Sequence, residues 1–447
     1  MTIFILTLFF VYLISPLIIN YMVYKSSFLR RVGAIVIAYL IGLIIGNAGM
    51  FPEASKSMVE LINDKDIILT GELINELYPG ENFDDTKTIK VNKKLVEDLY
   101  EHGTLTEDDV TYYSIFNLQD NLTGIAIVLA LPLLLFSLNV RGWFKVAGKT
   151  FLSLILGLIS VFIPIILGFY LFKDSVNEAW KIAGMMTGVY SGGTPNLAAI
   201  QKALDVNNLT YIMTHTYDLI IGVVFLFFVM TIGQRVLLKF LPPYKMQGTV
   251  NNVEPAILDN ATERSFFEVL KRKNVIQLFV AFGITIVIIG ISVGLGELVS
   301  KEHQTIVVIL STTTLGILAS LIGRVNKIEN TFDLGMYFIL VFSVVVASMA
   351  DLRNFDMSHI NIFYWVALVY VGSLVIHVAL AAIFKIDADN VIIVSTALSC
   401  SPPFVQVVAG ALNNKEIIIS GLTVGIVGYA IGNYLGILVA ELLYYFG

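Results

Sequence analysis

Long apolar stretches recur along the chain and are separated by shorter polar segments. Each stretch is close to the ~20 residues that an α-helix needs to cross ~30 Å of hydrocarbon. A β-barrel would instead show short segments of alternating polarity. The pattern therefore predicts an all-α polytopic membrane protein with twelve transmembrane spans, at residues 2–23, 32–50, 122–138, 150–172, 182–203, 209–233, 275–299, 304–323, 332–350, 361–385, 391–411 and 416–445.

Composition strengthens this prediction and excludes other classes. Apolar residues make up 57% of the 447 residues and charged residues only 14%, which excludes the soluble domains that such a length would otherwise suggest. The single cysteine, Cys400, excludes an intrachain disulfide and a cysteine metal cluster. The stretch 2–23 lacks the basic region and the cleavage site of a signal peptide, so we expect a retained span. Neither a basic patch for nucleic acid nor a Walker A sequence for ATP-driven transport is present.

The distribution of charge predicts which ends of the spans face the cytoplasm. The net charge of −6 conceals an insert, Phe51–Asn121, that carries 16 acidic residues and 6 lysines. Two short basic loops are expected to be cytoplasmic; they contain Lys25, Arg30 and Arg31, and Arg141, Lys145 and Lys149. The insert then lies outside, either as a small extracytoplasmic cap with short amphipathic helices at 55–64 and 93–103 or as a solvated loop. The basic linker that follows Gln234 is also expected to be cytoplasmic, although strict alternation of twelve spans would place it outside.

The two halves of the chain share an internal repeat. In each half a span ends in a similar motif, "LLLFSLNVRGWF" (133–144) or "VVVASMADLRNF" (344–355). In each half the second span after the motif is interrupted by small and polar residues, "GVYSGGTPNLAAI" (188–200) or "TALSCSPPFVQVVAG" (396–410), with Pro195 opposite Pro403. Matched interruptions of this kind are typical of a transporter site at the interface of two repeats.

This repeat defines the expected domain organisation. Residues 1–238 form a first membrane repeat that contains the acidic 51–121 insert, residues 239–274 form a cytoplasmic linker, and residues 275–447 form a second membrane repeat. If the linker is cytoplasmic, Arg141 and Arg353 lie on opposite sides of the membrane. The two repeats would then be inverted, which is the usual basis of alternating access.

The residue types at the two breaks suit ligand binding. Gly192 and Gly193 allow the backbone to open, and Pro195 suits the first turn of a new helix. The N-terminus of that half-helix attracts an anion, and the carbonyl end of the preceding half-helix suits a cation. The predicted binding residues are Tyr190, Ser191, Gly192, Gly193, Thr194, Pro195 and Asn196 at the first break, and Ser399, Cys400, Ser401, Pro402, Pro403 and Gln406 at the second.

Few ionisable residues lie within the predicted spans, and each is a candidate for function. His215 and Asp218 share one helix face after the first break, where they would handle a coupling ion or a proton, or would form a structural pair. His377 is expected to be a hydrogen-bonded packing residue. The glycines of the last span predict close helix packing, and Asn433 among them is a minor site candidate that would bond to the second break. No resident cofactor or metal is expected, and a bound sodium ion is left open.

Five stretches resemble the DUF819 (YjcL-like) family of bacterial integral membrane proteins. They are "LALPLLLFSLNVRGW", "TGVYSGGTPNLAAIQKALDV", "THTYDLIIG", "VVVASMADLRNF" and "GIVGYAIGNYLG". The resemblance covers the whole chain except the 51–121 insert, where relatives commonly have a short connection. It implies a relation to the cation:proton antiporter/anion transporter superfamily, and hence two inverted repeats with crossed, broken helices as in sodium/proton antiporters.

These observations together predict a secondary active transporter rather than an enzyme. It would move a small anionic organic solute, such as an amino acid, a small peptide or a carboxylate, by alternating access coupled to sodium or protons. The alternative is a monovalent cation/proton antiporter, for which only Asp218 supplies a carboxylate. A remote alternative is an intramembrane enzyme, with Cys400 and His215 or His377 as its one conceivable nucleophile pairing. The expected location is the bacterial cytoplasmic (inner) membrane, with the lipid bilayer and the solute as partners and a homodimer left open.

Overall fold

The computed structural model describes most of the chain, and all statements below concern that part. It covers residues 2–26, 29, 33–55, 58, 61, 66–70, 86–90, 93–137, 148–245, 272–301, 303–349, 359–400, 402–412, 414 and 416–447. Its main helices are α1 (Thr2–Lys25), α2 (Ala34–Asn47), α3 (Lys93–Glu101), α4 (Glu107–Phe136), α5 (Gly148–Phe172), α6 (Ala179–Gly192), α7 (Thr194–Ala203), α8 (Asn208–Phe228), α9 (Arg272–Gly296), α10 (Gln304–Ser320), α11 (Thr331–Ser348), α12 (Ile360–Ile383), α13 (Ala388–Ser399), α14 (Pro402–Ala411) and α15 (Ile418–Phe446). Two strands, β1 (Asp66–Thr70) and β2 (Thr86–Lys90), form an antiparallel pair.

The prediction of a polytopic helical membrane protein is confirmed. Within the described ranges, eight helices are long and apolar enough to cross a bilayer: α1, α4, α5, α8, α9, α11, α12 and α15. Their exposed positions are rich in leucine, isoleucine, valine and phenylalanine, as lipid contact requires. The helices α2, α10 and α13 are apolar but shorter.

The acidic insert is more structured than its composition indicated. The amphipathic segment that begins at residue 93 is a helix, α3, and it buries Leu95, Val96 and Leu99. The strand pair was not predicted, and most of the other helix expected in the insert, at 55–64, lies outside the described residues. The predicted end of the insert is wrong. Helix α4 begins at Glu107, inside the insert, rather than near residue 122. A capping box at Thr106 starts the helix there, although the apolar window begins later.

Contacts at helix ends define the direction of the main helices. The carboxylate of Asp109, at the start of α4, accepts a hydrogen bond from the Ser55 amide at 2.8 Å, so α4 begins where the insert emerges. We call this end of the molecule the insert end. Gln119 of α4 donates to Ser348, the last residue of α11, at 3.0 Å. Helix α11 therefore ends at the insert end and runs antiparallel to α4.

The helices α6 and α7 form hairpin 1 (residues 179–203), which does not cross the molecule. The Nζ atom of Lys181, near the start of α6, donates to the carbonyl of Asp205, just after α7, at 3.2 Å. Two helices joined end to end could not bring these residues together, so the chain folds back at the break. Lys202 of α7 pairs with Asp120 of α4 at 2.6 Å, which places the open end of hairpin 1 at the insert end.

The helices α13 and α14 form hairpin 2 (residues 388–411) in the same way. Asp389, near the start of α13, accepts a hydrogen bond from Asn414, just after α14, at 2.8 Å. The Ala388 amide donates to the carbonyl of Pro242 at 3.0 Å. Pro242 follows α8, which begins at the insert end and runs away from it. The open end of hairpin 2 therefore lies at the opposite end of the molecule.

Two predictions are wrong at these hairpins. Residues 182–203 and 391–411 were expected to be spans, and the crossed arrangement implied by the resemblance needs half-helices that continue in one direction. Instead the half-helices pack side by side and return to the end from which they started. Because α7 returns to the insert end, α8 leads away from it, and the basic linker after α8 begins at the end opposite the insert.

The helices pack as two groups that meet along a narrower interface. In one group α11 packs between α2 and α4, and α10 packs against α4 and α9. In the other α6 lies along α15 and α5 along α12, with hairpin 2 against α5 and α15. Helix α8 packs against α12 and continues through a π-helical turn, Val229–Gly233, towards hairpin 2. The hairpins and the helices that hold them thus form one unit beside the first group.

Candidate functional site

The tip of hairpin 1 has the backbone geometry predicted for the first break. Helix α6 ends at Gly192, and Gly193 has a φ of 85°, a left-handed value that favours glycine. Helix α7 then begins with Thr194 and carries Pro195 in its first turn. Every residue from 182 to 200 is buried, which includes all seven candidates from Tyr190 to Asn196. The tip therefore lies in the interior of the molecule, and its role in binding stays a prediction.

The glycines of α15 allow hairpin 1 to approach that helix closely. Asn196 donates from Nδ2 to the carbonyl of Gly428 at 3.1 Å. A Cβ atom added at Gly428 would overlap the carbonyl oxygen of Ser191, and one added at Gly432 would overlap the Asn196 amide. The expected role of these glycines in close packing is confirmed. It brings the backbone of α15 directly against the tip.

Several buried polar atoms around hairpin 1 have no hydrogen-bond partner among the described residues. They are Thr187 Oγ1, Asn196 Oδ1, Tyr211 Oη and both ring nitrogens of His215. A buried polar atom without a partner costs about 1–3 kcal/mol. Such atoms are therefore positions at which a solute, an ion or water would be stabilised. Apart from the His215 nitrogens, they are hydroxyl and amide oxygens.

The tip of hairpin 2 is built to the same plan. Helix α13 ends at Ser399, and the Cys400 amide donates to the carbonyl of Thr396 at 2.8 Å. Helices α7 and α14 are each 10 residues long. Pro402 and Pro403 open α14, which also contains Gln406. The side chains of these three residues, and the whole of Ser401, lie outside what the structure describes.

Asp218 of α8 lies between the two tips. Its Oδ1 atom accepts a hydrogen bond from the Tyr370 hydroxyl at 3.0 Å. The same hydroxyl lies 3.2 Å from the carbonyl oxygen of Ser399, at the tip of hairpin 2. The ring of Tyr370 packs edge-on against the ring of Tyr190, at the tip of hairpin 1, with 5.1 Å between centroids. Tyr370 is a site residue that the sequence did not reveal, because it is one tyrosine in an apolar span with no motif around it.

His215 and Asp218 face each other as their spacing predicted. The Nδ1 atom of His215 lies 3.7 Å from Asp218 Oδ2, beyond hydrogen-bond distance. The imidazole packs between two aromatic rings, with centroid distances of 4.8 Å to Tyr39 of α2 and 5.7 Å to Tyr211. This pair is buried where α8 meets the other helix group.

Two other predicted polar residues have structural partners. Asn433 donates to Thr313 of α10 at 3.1 Å. The expected bond from Asn433 to the second break is therefore wrong, because the glycine face of α15 turns this side chain towards the other helix group. The packing role expected of His377 is confirmed: its ring nitrogens lie 3.1 Å from Ser153 Oγ and 2.9 Å from Ser395 Oγ.

The open end of hairpin 2 is held by a network that the sequence did not indicate. Both carboxylate oxygens of Asp389 accept amide hydrogen bonds, from Gln234 at 2.7 Å and from Asn414 at 2.8 Å. Nearby, Tyr244 donates to Glu416 at 3.3 Å. Burial and the Glu416 carboxylate raise the pKa of Tyr244 to about 12, so the hydroxyl keeps the proton that it donates. The network joins the chain that follows α8 to the start of α13 and to the residues that follow α14.

Within the described ranges no group of three or more histidine, cysteine, aspartate or glutamate residues is placed to hold a metal ion. The candidate site thus consists of two helix breaks, one carboxylate, one imidazole and neutral polar groups.

The described residues define a multi-pass helical membrane protein with two hairpin tips beside the carboxylate of Asp218. The chain belongs to the DUF819 family, described as "Protein of unknown function (DUF819)", whose model matches residues 111–446. It is 25% identical over 328 residues to the uncharacterized membrane protein YjcL of Bacillus subtilis (strain 168), which covers 71% of this chain and 81% of the relative. The family match contains both hairpins, whereas residues 1–50, over which the resemblance was also expected, lie outside it.

Proposed function

We propose that the chain is a secondary active transporter with two inverted repeats. Apart from the insert with α3 and the strand pair, each half contributes the same order of main elements: four apolar helices, then a hairpin, then a long helix. The observation that carries the proposal is that the hairpins open towards opposite ends and their tips meet around Asp218, where Tyr370 lies 3.2 Å from the carbonyl of Ser399. Paired breaks at a repeat interface are the arrangement from which transporters build a central site.

The charge of the loops supports an orientation with the insert outside. The helices that flank the basic loop around Arg141, and the end of α8 that leads into the basic linker, lie at the end opposite the insert. With hairpins in place of two spans, the positive-inside rule and the order of crossings agree. We place the protein in the bacterial cytoplasmic membrane, with ten crossing segments, two hairpins and the acidic insert on the outer face.

The proposed solute is a small organic anion, such as an amino acid, a small peptide or a carboxylate. Its anionic group would lie at the N-terminus of α7, between Gly193 and Asn196, at the positive end of the helix dipole. Neutral groups such as Thr187 would recognise the rest of the molecule. Sodium or a proton would couple at Asp218, and alternating access would move the hairpin-bearing helix group against the other.

An uptake screen in proteoliposomes tests this proposal. Amino acids, dipeptides and dicarboxylates would be offered with an inward sodium gradient, with a pH gradient and with neither. We expect uptake of one class under one gradient, and Asn196→Ala should reduce it at least tenfold. Asn121→Ala, an exposed position on α4, is the matched control and should transport like the unaltered chain. Uptake of no class under any gradient would contradict the proposal.

A monovalent cation/proton antiporter is the second candidate, because a buried carboxylate lies between the tips. Proton flux driven by sodium or potassium without any organic solute would favour it. We do not propose an intramembrane enzyme. Of the two histidines considered as partners of Cys400, His377 is engaged by Ser153 and Ser395.

A further inference from the structure

One hydroxyl group at the centre of the site serves two acceptors. The Tyr370 hydroxyl lies 3.0 Å from Asp218 Oδ1 and 3.2 Å from the carbonyl oxygen of Ser399. A tyrosine hydroxyl carries a single proton and cannot make two full hydrogen bonds as a donor. Ser399 is the last residue of α13, so its carbonyl has no partner within the helix. The two acceptors therefore compete for Tyr370.

The protonation state of Asp218 decides this competition. An ionised carboxylate attracts the Tyr370 proton more strongly than a neutral carbonyl does, and the Ser399 carbonyl then loses its donor. A protonated carboxyl group can instead donate to the Tyr370 oxygen, which frees the hydroxyl proton for Ser399. We propose that Tyr370 is a positioning residue that fastens the tip of hairpin 2 when Asp218 takes up a proton and releases it when the proton leaves.

The surroundings of Asp218 favour a proton over a metal cation as its ligand. The titratable groups that face it are His215 and Tyr211 on α8, Tyr190 on α6, Tyr370 on α12 and Cys400 after α13. The second carboxylate oxygen faces an imidazole nitrogen at 3.7 Å, whereas hard cations take oxygen ligands. A proton needs only one acceptor atom. The inference rests on the proposed transport function and assigns the proton as its coupling ion.

The single cysteine reports directly on this bond. Cys400 follows Ser399 in the chain and is only 9% exposed, so a maleimide reaches it when the tip opens. The full-length protein in liposomes would be labelled with N-ethylmaleimide over a pH series, and each rate divided by that of Asp218→Asn at the same pH. This division removes the effect of the intrinsic ionisation of the thiol, which both proteins share. The carboxamide can donate to Tyr370 as the protonated acid does, so this variant should stay fastened throughout.

We expect the rate ratio to be near one in acid and to rise about five- to tenfold as the pH increases. Loss of one hydrogen bond would raise the population of the open tip, and hence the labelling rate, by about this factor. Tyr370→Phe should label fast at every pH. Tyr364→Phe, an exposed tyrosine on the same helix, should behave like the unaltered chain. The opposite effects expected of Asp218→Asn and Tyr370→Phe separate the proposed tie from general loosening, which would accelerate labelling in both.

Three results would overturn the inference. They are a ratio that does not change with pH, faster labelling in Asp218→Asn than in the unaltered chain, and protection of Cys400 by sodium chloride relative to choline chloride at constant pH. A ratio that stays flat, together with loss of the pH response of labelling in His215→Gln, would assign the switch to the imidazole. No solute is needed, so failure here is distinct from failure of the uptake screen.

Discussion

A methyl group at Gly428 should separate hairpin 1 from α15. In Gly428→Ala the new Cβ would overlap the carbonyl oxygen of Ser191 and lie 3.0 Å from the Cα atom of Gly192. Both neighbours are backbone atoms at a buried tip, so the clash cannot be relieved by a rotamer change. Overpacking of this kind costs about 1–3 kcal/mol. It would also displace Asn196, whose side chain bonds to the Gly428 carbonyl at 3.1 Å.

The matched control is Gly290→Ala on α9. A Cβ atom there meets nothing within 4 Å, and alanine is the better helix former by about 0.5–1 kcal/mol. Thermal unfolding of the purified protein in detergent, followed by loss of the monodisperse peak, should therefore order the proteins as Gly428→Ala below the unaltered chain and Gly290→Ala at or above it. Solute uptake should fall in Gly428→Ala alone. Equal midpoints for both variants would refute the close approach of α15 to hairpin 1.

Two further substitutions test the ends of elements. Asp389→Ala removes the acceptor of two amides at the open end of hairpin 2 and should lower the free energy of unfolding in detergent by about 2–4 kcal/mol. Asp174→Ala, at an exposed position, is the control and should have no effect. An unchanged unfolding midpoint in Asp389→Ala would show that the network does not hold the hairpin. Thr106→Ala removes the capping box of α4 and should destabilise the start of that helix by about 1 kcal/mol. Trypsin should then cleave the insert faster than in the control Thr104→Ala, an exposed neighbour. Equal cleavage rates in the two variants would argue against the cap.

The order of the helices could be predicted from the sequence, but the path of the broken ones could not. Periodic apolar length locates segments well because burial in lipid leaves few alternatives. A break such as Gly193–Pro195 looks the same in sequence whether the next half-helix continues or returns. That choice depends on contacts with distant segments, such as Lys202 with Asp120 and Asn196 with the Gly428 carbonyl. The conflict between loop charge and span count was the one sign of a hairpin, since its two explanations were a segment that does not cross and a linker that departs from the positive-inside rule.

The candidate site shows the same division. The breaks and the pair His215–Asp218 were predicted because glycine, proline and ionisable residues are unusual in apolar spans. Tyr370 was missed because tyrosine is common in such spans, and its role depends on a position between Asp218 and Ser399. Asp389 was missed because it stands at a predicted span boundary, where a carboxylate is expected to face water.

The π-helical turn in α8 makes chain length at this point a structural constraint. Hydrogen bonds in a π-helix join residues five apart, so Val229–Gly233 holds one residue more than an α-helical turn would. Gln234 follows directly and reaches Asp389 at 2.7 Å. An α-helix rotates by about 100° per residue, so a homologue shortened by one residue here would carry its amide on a different face of the helix. Such a homologue would have to anchor hairpin 2 through another residue, and an insertion or deletion at this turn would matter more than most substitutions.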